Sequence, residues 1–205
     1  MKEEKAVSPA VQERIDSYQA LCKDLENEGY HRTDCTISVL KANIFAFLTA
    51  GPVAALGLIL YLFKWNAVFT FSGADFLILF LLLVAMIPIH ELIHGIAWGL
   101  FCRNGWRSIR FGMMWKSLTP YCHCKEPLPV VPYLIGSLAP FFVLGVVPCL
   151  IACATANPYL LWLSVFNLLS AGGDTTIALM LIGRRQSVIL DHPTKCGFTA
   201  LKKQQ

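Results

Sequence analysis

Residues 87–99 read IPIHELIHGIAWG, and three of their side chains could do chemistry together. His90 and His94 stand four residues apart, so on a helix both imidazoles project from one face and can share a metal ion. Glu91 follows the first histidine directly. In an H-E-x-x-H arrangement its carboxylate is placed to act as a base toward water rather than to bind the metal. The segment around these residues is apolar, and there an unpaired Glu costs at least about 2.5 kcal/mol. The bland alternative is that the three groups hydrogen-bond across a helix bundle. Three ionisable groups within five residues need a common partner, however, and a divalent cation is the simplest one.

Two imidazoles alone do not hold a catalytic zinc; a third ligand is expected, with one position left for water. Asp174 is the leading candidate, as the one charged side chain in the last apolar stretch, 158–182. His90 lies 15 residues past Asp75 and Asp174 lies 17 past Asn157. At ~1.5 Å per residue, two helices entering from the same side bring them to about the same depth. Gly95, Gly99, Ala171, Gly172 and Gly173 are small enough for the two backbones to approach closely. Asp174 could instead cap a helix or pair with Ser170. Asn167, two helical turns before Asp174, would point the same way, either to hydrogen-bond an extended substrate backbone or to bond a neighbouring helix.

These residues need a scaffold, and composition names its class. Of 205 residues, 56% are hydrophobic and only 15% charged, with a mean hydropathy of +0.56. A soluble domain of this length needs more charge to cover its surface. No charged side chain occurs between Glu126 and Asp174, a run long enough for two bilayer crossings. The expected fold class is therefore an all-α polytopic membrane protein with about four transmembrane helices, at 42–63, 75–102, 132–154 and 158–182. Residues 1–41 read as a soluble lead. In it Val11, Ile15, Tyr18, Leu21, Cys22 and Leu25 recur at helical spacing, and Gly29 stops the amphipathic helix they predict. The opening MKEEKAVSPAVQERIDSYQ does not read as a cleavable signal peptide. Between the second and third spans, 103–126 is basic through Arg103, Arg107, Arg110, Lys116 and Lys125. Phe111, Met113 and Trp115 alternate there, which predicts a short β-hairpin or re-entrant segment. Residues 184–205 read as a polar tail.

The lead, the 103–126 segment and the tail carry nearly all the Lys and Arg, so both termini are expected in the cytoplasm. A net charge of +4 is too small to imply a nucleic-acid partner. The 8 cysteines are scattered and several sit in apolar runs, which does not read as a disulfide framework. Rival metal ligands are Cys122-His123-Cys124, which lacks a second pair at suitable spacing, and His192, which follows the last span closely. A cytoplasmic loop and a surface turn are the plainer readings of these two.

HELIHG in an apolar helix, followed by a later helix with an Asn and a Gly-Asp pair, resembles the site-2 protease class of intramembrane zinc metalloproteases. It is closer still to the small bacterial family of putative zincin peptidases, over roughly residues 43–198 and including the tail string DHPTKCGF. The resemblance implies that His90 and His94 are zinc ligands, Glu91 the catalytic base and Asp174 the third ligand. The usual site-2 pattern, Asn-x-x-Pro followed by Leu-Asp-Gly, is replaced here by NLLSAGGDTT, without the prolines and with a shorter Asn-to-Asp spacing.

The resulting expectation is a metalloprotease-like membrane domain over 42–183 holding one Zn2+ per chain. It would hydrolyse peptide bonds of membrane-embedded or membrane-proximal substrates in a bacterial cytoplasmic membrane. Its partners would be the lipid bilayer, a membrane-protein or peptide substrate and, if one chain does not complete the cavity, a homodimer. The alternative is a non-catalytic scaffold in which zinc staples the second and fourth spans. Glu91 beside the ligands favours the enzyme, because a structural site has no use for a base.

Overall fold

The computed structural model describes residues 9–66, 68–114 and 119–204; Trp115 and Lys116 lie outside them. Helix α1 (Pro9–Asn27) is the expected amphipathic helix, and Gly29 at φ 86 turns the chain out of it. A strand follows, β1 (Tyr30–Ile37), and then the long helix α2 (Val39–Trp65), whose N-terminus is capped by Ser38. Helix α3 (Gly73–Gly99) carries HELIHG; its first turn is closed by a reciprocal Ser72–Asp75 capping box. After a short 3-10 turn come β2 (Ile109–Met114) and β3 (Thr119–Cys124), paired antiparallel, so the predicted hairpin is present.

The third apolar stretch starts after a two-residue strand, β4 (Leu128–Pro129), and runs as α4 (Val130–Pro140), a π-helical segment (Phe141–Val146) and α5 (Val147–Thr155). Helices α6 (Pro158–Ser170) and α7 (Gly172–Met180) occupy the fourth. The chain ends with strands β5 (Ser187–Asp191) and β6 (Cys196–Lys203).

Three helical segments, Leu40–Trp65, Gly73–Gly99 and Val130–Thr155, are long and apolar enough to cross a membrane. Their outward faces are carpeted with apolar side chains such as Phe47, Phe80 (61% exposed) and Leu150. So large a greasy surface is unstable in water and suits hydrocarbon. The expected fourth crossing is not one helix but two. Gly172 lies so close to α2 that a Cβ there would stand 2.6 Å from Ala46. Thr176 bonds back to the Gly172 carbonyl at 2.8 Å, and Thr49 of α2 meets Thr175 at 2.6 Å. These contacts lie beside the break at Ala171 between α6 and α7.

The all-α expectation needs correction as well. Beside the hairpin there is a four-stranded antiparallel sheet, in the order β1-β6-β5-β4, built from the lead and the supposed polar tail. Alternation explains it: Cys35, Ile189, Phe198 and Ala200 face the helical body, packing with Trp98 and Tyr133, while Leu190 and Leu201 face Tyr18 and Cys22 of α1. Strands this short, with charged ends, carry too little signal to compete with the apolar runs.

On the α1 side, Arg32 holds Asp34 through a paired contact (2.9 Å), and Thr199 also donates to Asp34 at 2.8 Å. The Arg32 guanidinium hydrogen bond lowers the Asp34 carboxyl from 3.8 to about 2. This depressed value makes the bridge stabilising above about pH 4 and progressively lost as pH falls towards about 2. Asp34→Asn should therefore be less stable than wild type at pH 6, the gap closing as urea unfolding midpoints are followed down to about pH 2.

Candidate metal centre

The site is set by where two helices start. Tyr159, in the first turn of α6, donates its hydroxyl to Asp75, in the first turn of α3, at 2.6 Å. His90 lies fifteen residues beyond Asp75 and Asp174 fifteen beyond Tyr159. From this shared anchor α3 leads to His90, and α6 with the first turn of α7 leads to Asp174 at the same level. There His90 Nε2 lies 3.1 Å from Asp174 Oδ2, His94 Nε2 lies 3.3 Å from Asp174 Oδ1, and the two Nε2 atoms are 3.2 Å apart.

Ligand atoms at those separations fit a metal. Tetrahedral zinc with bonds of about 2.0–2.1 Å sets its ligands about 3.3 Å from one another. Among the described residues, His90, His94 and Asp174 are the group of His, Cys, Asp and Glu side chains whose ligand atoms lie mutually within 4.8 Å. The His94 tautomer is fixed too. Its Nδ1 is 2.8 Å from the Gly136 carbonyl of α4, which can only accept, so Nδ1 carries a hydrogen and Nε2 is the nitrogen left to face the cluster.

The imidazole orientation is held by stacking. His94 lies against Trp98 at 5.1 Å and 14°, and Trp98 lies against Tyr133 at 5.4 Å. The Trp98 indole donates to the Tyr133 carbonyl at 3.0 Å, and the Tyr133 hydroxyl donates to the buried carboxylate of Asp191. Asp191 also accepts from the Cys124 backbone N–H at 2.8 Å. Gly136, Trp98, Tyr133 and Asp191 were not legible as site residues from sequence. A glycine in a helix gives no hint that a carbonyl there will meet an imidazole 42 positions away. At Gly136 a Cβ would stand 2.0 Å from the Trp98 ring. Gly136→Ala must therefore push Trp98 off His94. We expect it to weaken zinc binding about 10–100-fold, with a loss of about 1–3 kcal/mol in stability, read by competition with a fluorescent chelator and by chemical denaturation.

Glu91 is half-buried and contributes no atom to the ligand cluster. Its carboxylate faces the backbone N–H of Cys122 on β3. With His90 it opens onto a cavity of about 450 Å³ between α3 and α6, lined by Phe80, Val84, Ile87 and Phe166 and by the polar Asn167 and Ser170. Asn167 therefore sits beside Glu91, although the break at Ala171 removes the continuous helix that was to align it with Asp174. Its amide donates to the Leu163 carbonyl at 2.8 Å, leaving the side-chain oxygen toward the cavity wall.

The rival ligands lie elsewhere. Burial pushes the His123 imidazole down and the Cys122 and Cys124 thiols up, and none of the three belongs to a described group of ligand atoms close enough to share a metal. Cys124 faces Cys102 at 3.4 Å, and His123 faces Asp191 at 3.5 Å. His192 stays in its surface turn, accepting from the backbone N–H of Lys195 at 3.1 Å and lying against Tyr18.

No curated protein and no solved structure matches the chain. A family model described as "Putative zincin peptidase" matches residues 83–189, a stretch that holds His90, Glu91, His94 and Asp174. Zinc and peptide hydrolysis are the properties that this family description carries, and the donor set suits them. This chain belongs to the putative zincin peptidase family.

Proposed function

We propose that the chain is an intramembrane zinc metalloprotease of the site-2 protease type, which cleaves peptide bonds of membrane-embedded or membrane-proximal substrates. The observation that carries this reading is the convergence of His90, His94 and Asp174 at tetrahedral separations beside a half-buried Glu91, on helices whose outer faces are apolar. Zinc bound by these three residues supplies Lewis acidity, polarising the scissile carbonyl and making a neighbouring water acidic near neutral pH.

The chain's own residues do the rest. Glu91 Oε takes a proton from water and returns it to the leaving amine. Asn167 and Ser170 offer hydrogen bonds to a substrate backbone in extended form, while Phe80, Val84, Ile87 and Phe166 accept its apolar side chains. Phe80 and Phe166 are also exposed on the outer face, so the cavity is reachable from lipid. A protein-lined cavity that carries His90, Glu91, Asn167 and Ser170 among apolar walls is where water and non-helical substrate are tolerated at membrane depth.

The pairing of β1 with β6 supports termini on one side, and the basic lead, hairpin and tail support the cytoplasmic side of a bacterial membrane. The test is a set of transmembrane peptides reconstituted with the protein in liposomes, the products read by mass spectrometry. Cleavage should stop on chelation and return with added zinc. Cleavage indifferent to chelation would exclude the metal mechanism, and an intact fold lost on chelation without any cleavage would favour the structural-staple alternative.

A further inference from the structure

Lead and tail form a second concavity, apart from the metal centre. His31 pairs with Lys202, Thr33 with Ala200 and Ser187 with Lys202, which puts all five side chains on the sheet face that looks toward the helices. Where this face carries Cys35, Ile189 and Phe198, it packs into the core. Farther along, Thr33, Ser187 and Ala200 are too small to fill the gap, and a cleft of about 640 Å³ remains. Arg184 overhangs it. This residue directly follows Gly183, whose φ of 84 turns the chain away from the last apolar helix. Arg184 is near enough to Cys35 for its charge to oppose the rise that burial gives that thiol.

The cleft is one-signed. Arg184, Lys202 and His31 line it, and among the described residues no carboxylate does. No described acid forms an ion pair with Arg184 or Lys202 either. Its place is equally specific. It opens where the chain leaves α7 and enters β5, just past the exposed apolar side chain of Ile182. A cationic recess at the boundary between an apolar belt and a polar sheet suits an anionic group.

We infer that this cleft binds a phosphate-bearing anion, with the planar guanidinium of Arg184 and the ammonium of Lys202 as its recognition groups. The chemistry is shared by a phospholipid headgroup and by free phosphate. It stands apart from the catalytic reading, because none of its residues touches the metal centre.

The test uses full-length protein in a non-ionic detergent and isothermal titration with three probes: dihexanoyl phosphatidylglycerol, dihexanoyl phosphatidylcholine and inorganic phosphate. Wild type should bind phosphatidylglycerol in preference to phosphatidylcholine. Arg184→Gln/Lys202→Gln should bind it about thirtyfold more weakly, and the exposed single change Lys202→Glu at least about fivefold more weakly. Lys195→Gln, in the β5–β6 turn, should match wild type, and zinc content should be unchanged in every variant. Binding of phosphatidylglycerol without phosphate identifies the lipid headgroup as the source, whereas equal binding of inorganic phosphate, lost in the same variants, identifies the free anion. No binding by wild type, or binding undiminished in both the double variant and Lys202→Glu, overturns the proposal.

Discussion

Glu91→Gln should leave about one zinc per chain and lower peptide cleavage by about two to four orders of magnitude, the range that a positioned acid–base group supplies. The substitution keeps the shape of the side chain and one acceptor oxygen, so the wall of the cavity is preserved. It removes only the capacity to take up and return a proton. None of the metal-facing atoms belongs to Glu91, which is why the metal should stay. Metal content by plasma mass spectrometry and product formation from the reconstituted peptides should be measured on the same preparation. Undiminished cleavage would end the general-base assignment, and loss of zinc would move Glu91 into the ligand set.

A comparable effect, on binding rather than turnover, is expected at the ligands. His94→Ala and Asp174→Ala should each fall from about one zinc per chain to less than about a tenth after dialysis. His94 is the better buried imidazole and the one whose tautomer is fixed by Gly136, so its removal takes away both a ligand atom and the surface on which Trp98 stacks. Asp174 is the one carboxylate of the set beside two imidazoles, and without it the remaining pair would lack both a negative charge and a third donor. Because the ligands come from α3 and α7, zinc bound only to the folded state should also raise the thermal midpoint of wild type, and chelation should bring it down to that of the variants. Zinc retained by Asp174→Ala at wild-type stoichiometry would remove Asp174 from the site.

The H-E-x-x-H spacing carried the histidines and Glu91 from the start, because a helical period of 3.6 residues alone puts positions 90 and 94 on one face. Asp174 was legible for a different reason: a lone acid in an apolar stretch is costly without a partner. The long apolar runs likewise announced helices able to cross a membrane, since burial of the backbone in hydrocarbon leaves little else. Other features depended on contacts between residues far apart in the chain. The break between α6 and α7 depends on how closely Gly172 approaches Ala46, and the sheet depends on β1 finding β6 more than 150 residues later. In the shell of Gly136, Trp98, Tyr133 and Asp191 only Trp98 stands at helical spacing from His94, and the other three have no period that relates them to it. It exists because packing brings a carbonyl and a ring of α4, a ring of α3 and, behind them, a carboxylate of β5 together around one imidazole. Local spacing thus determined which atoms could bind a metal. Tertiary packing decided which nitrogen of His94 faces the cluster, what holds that imidazole in place and which cavity Glu91 opens onto.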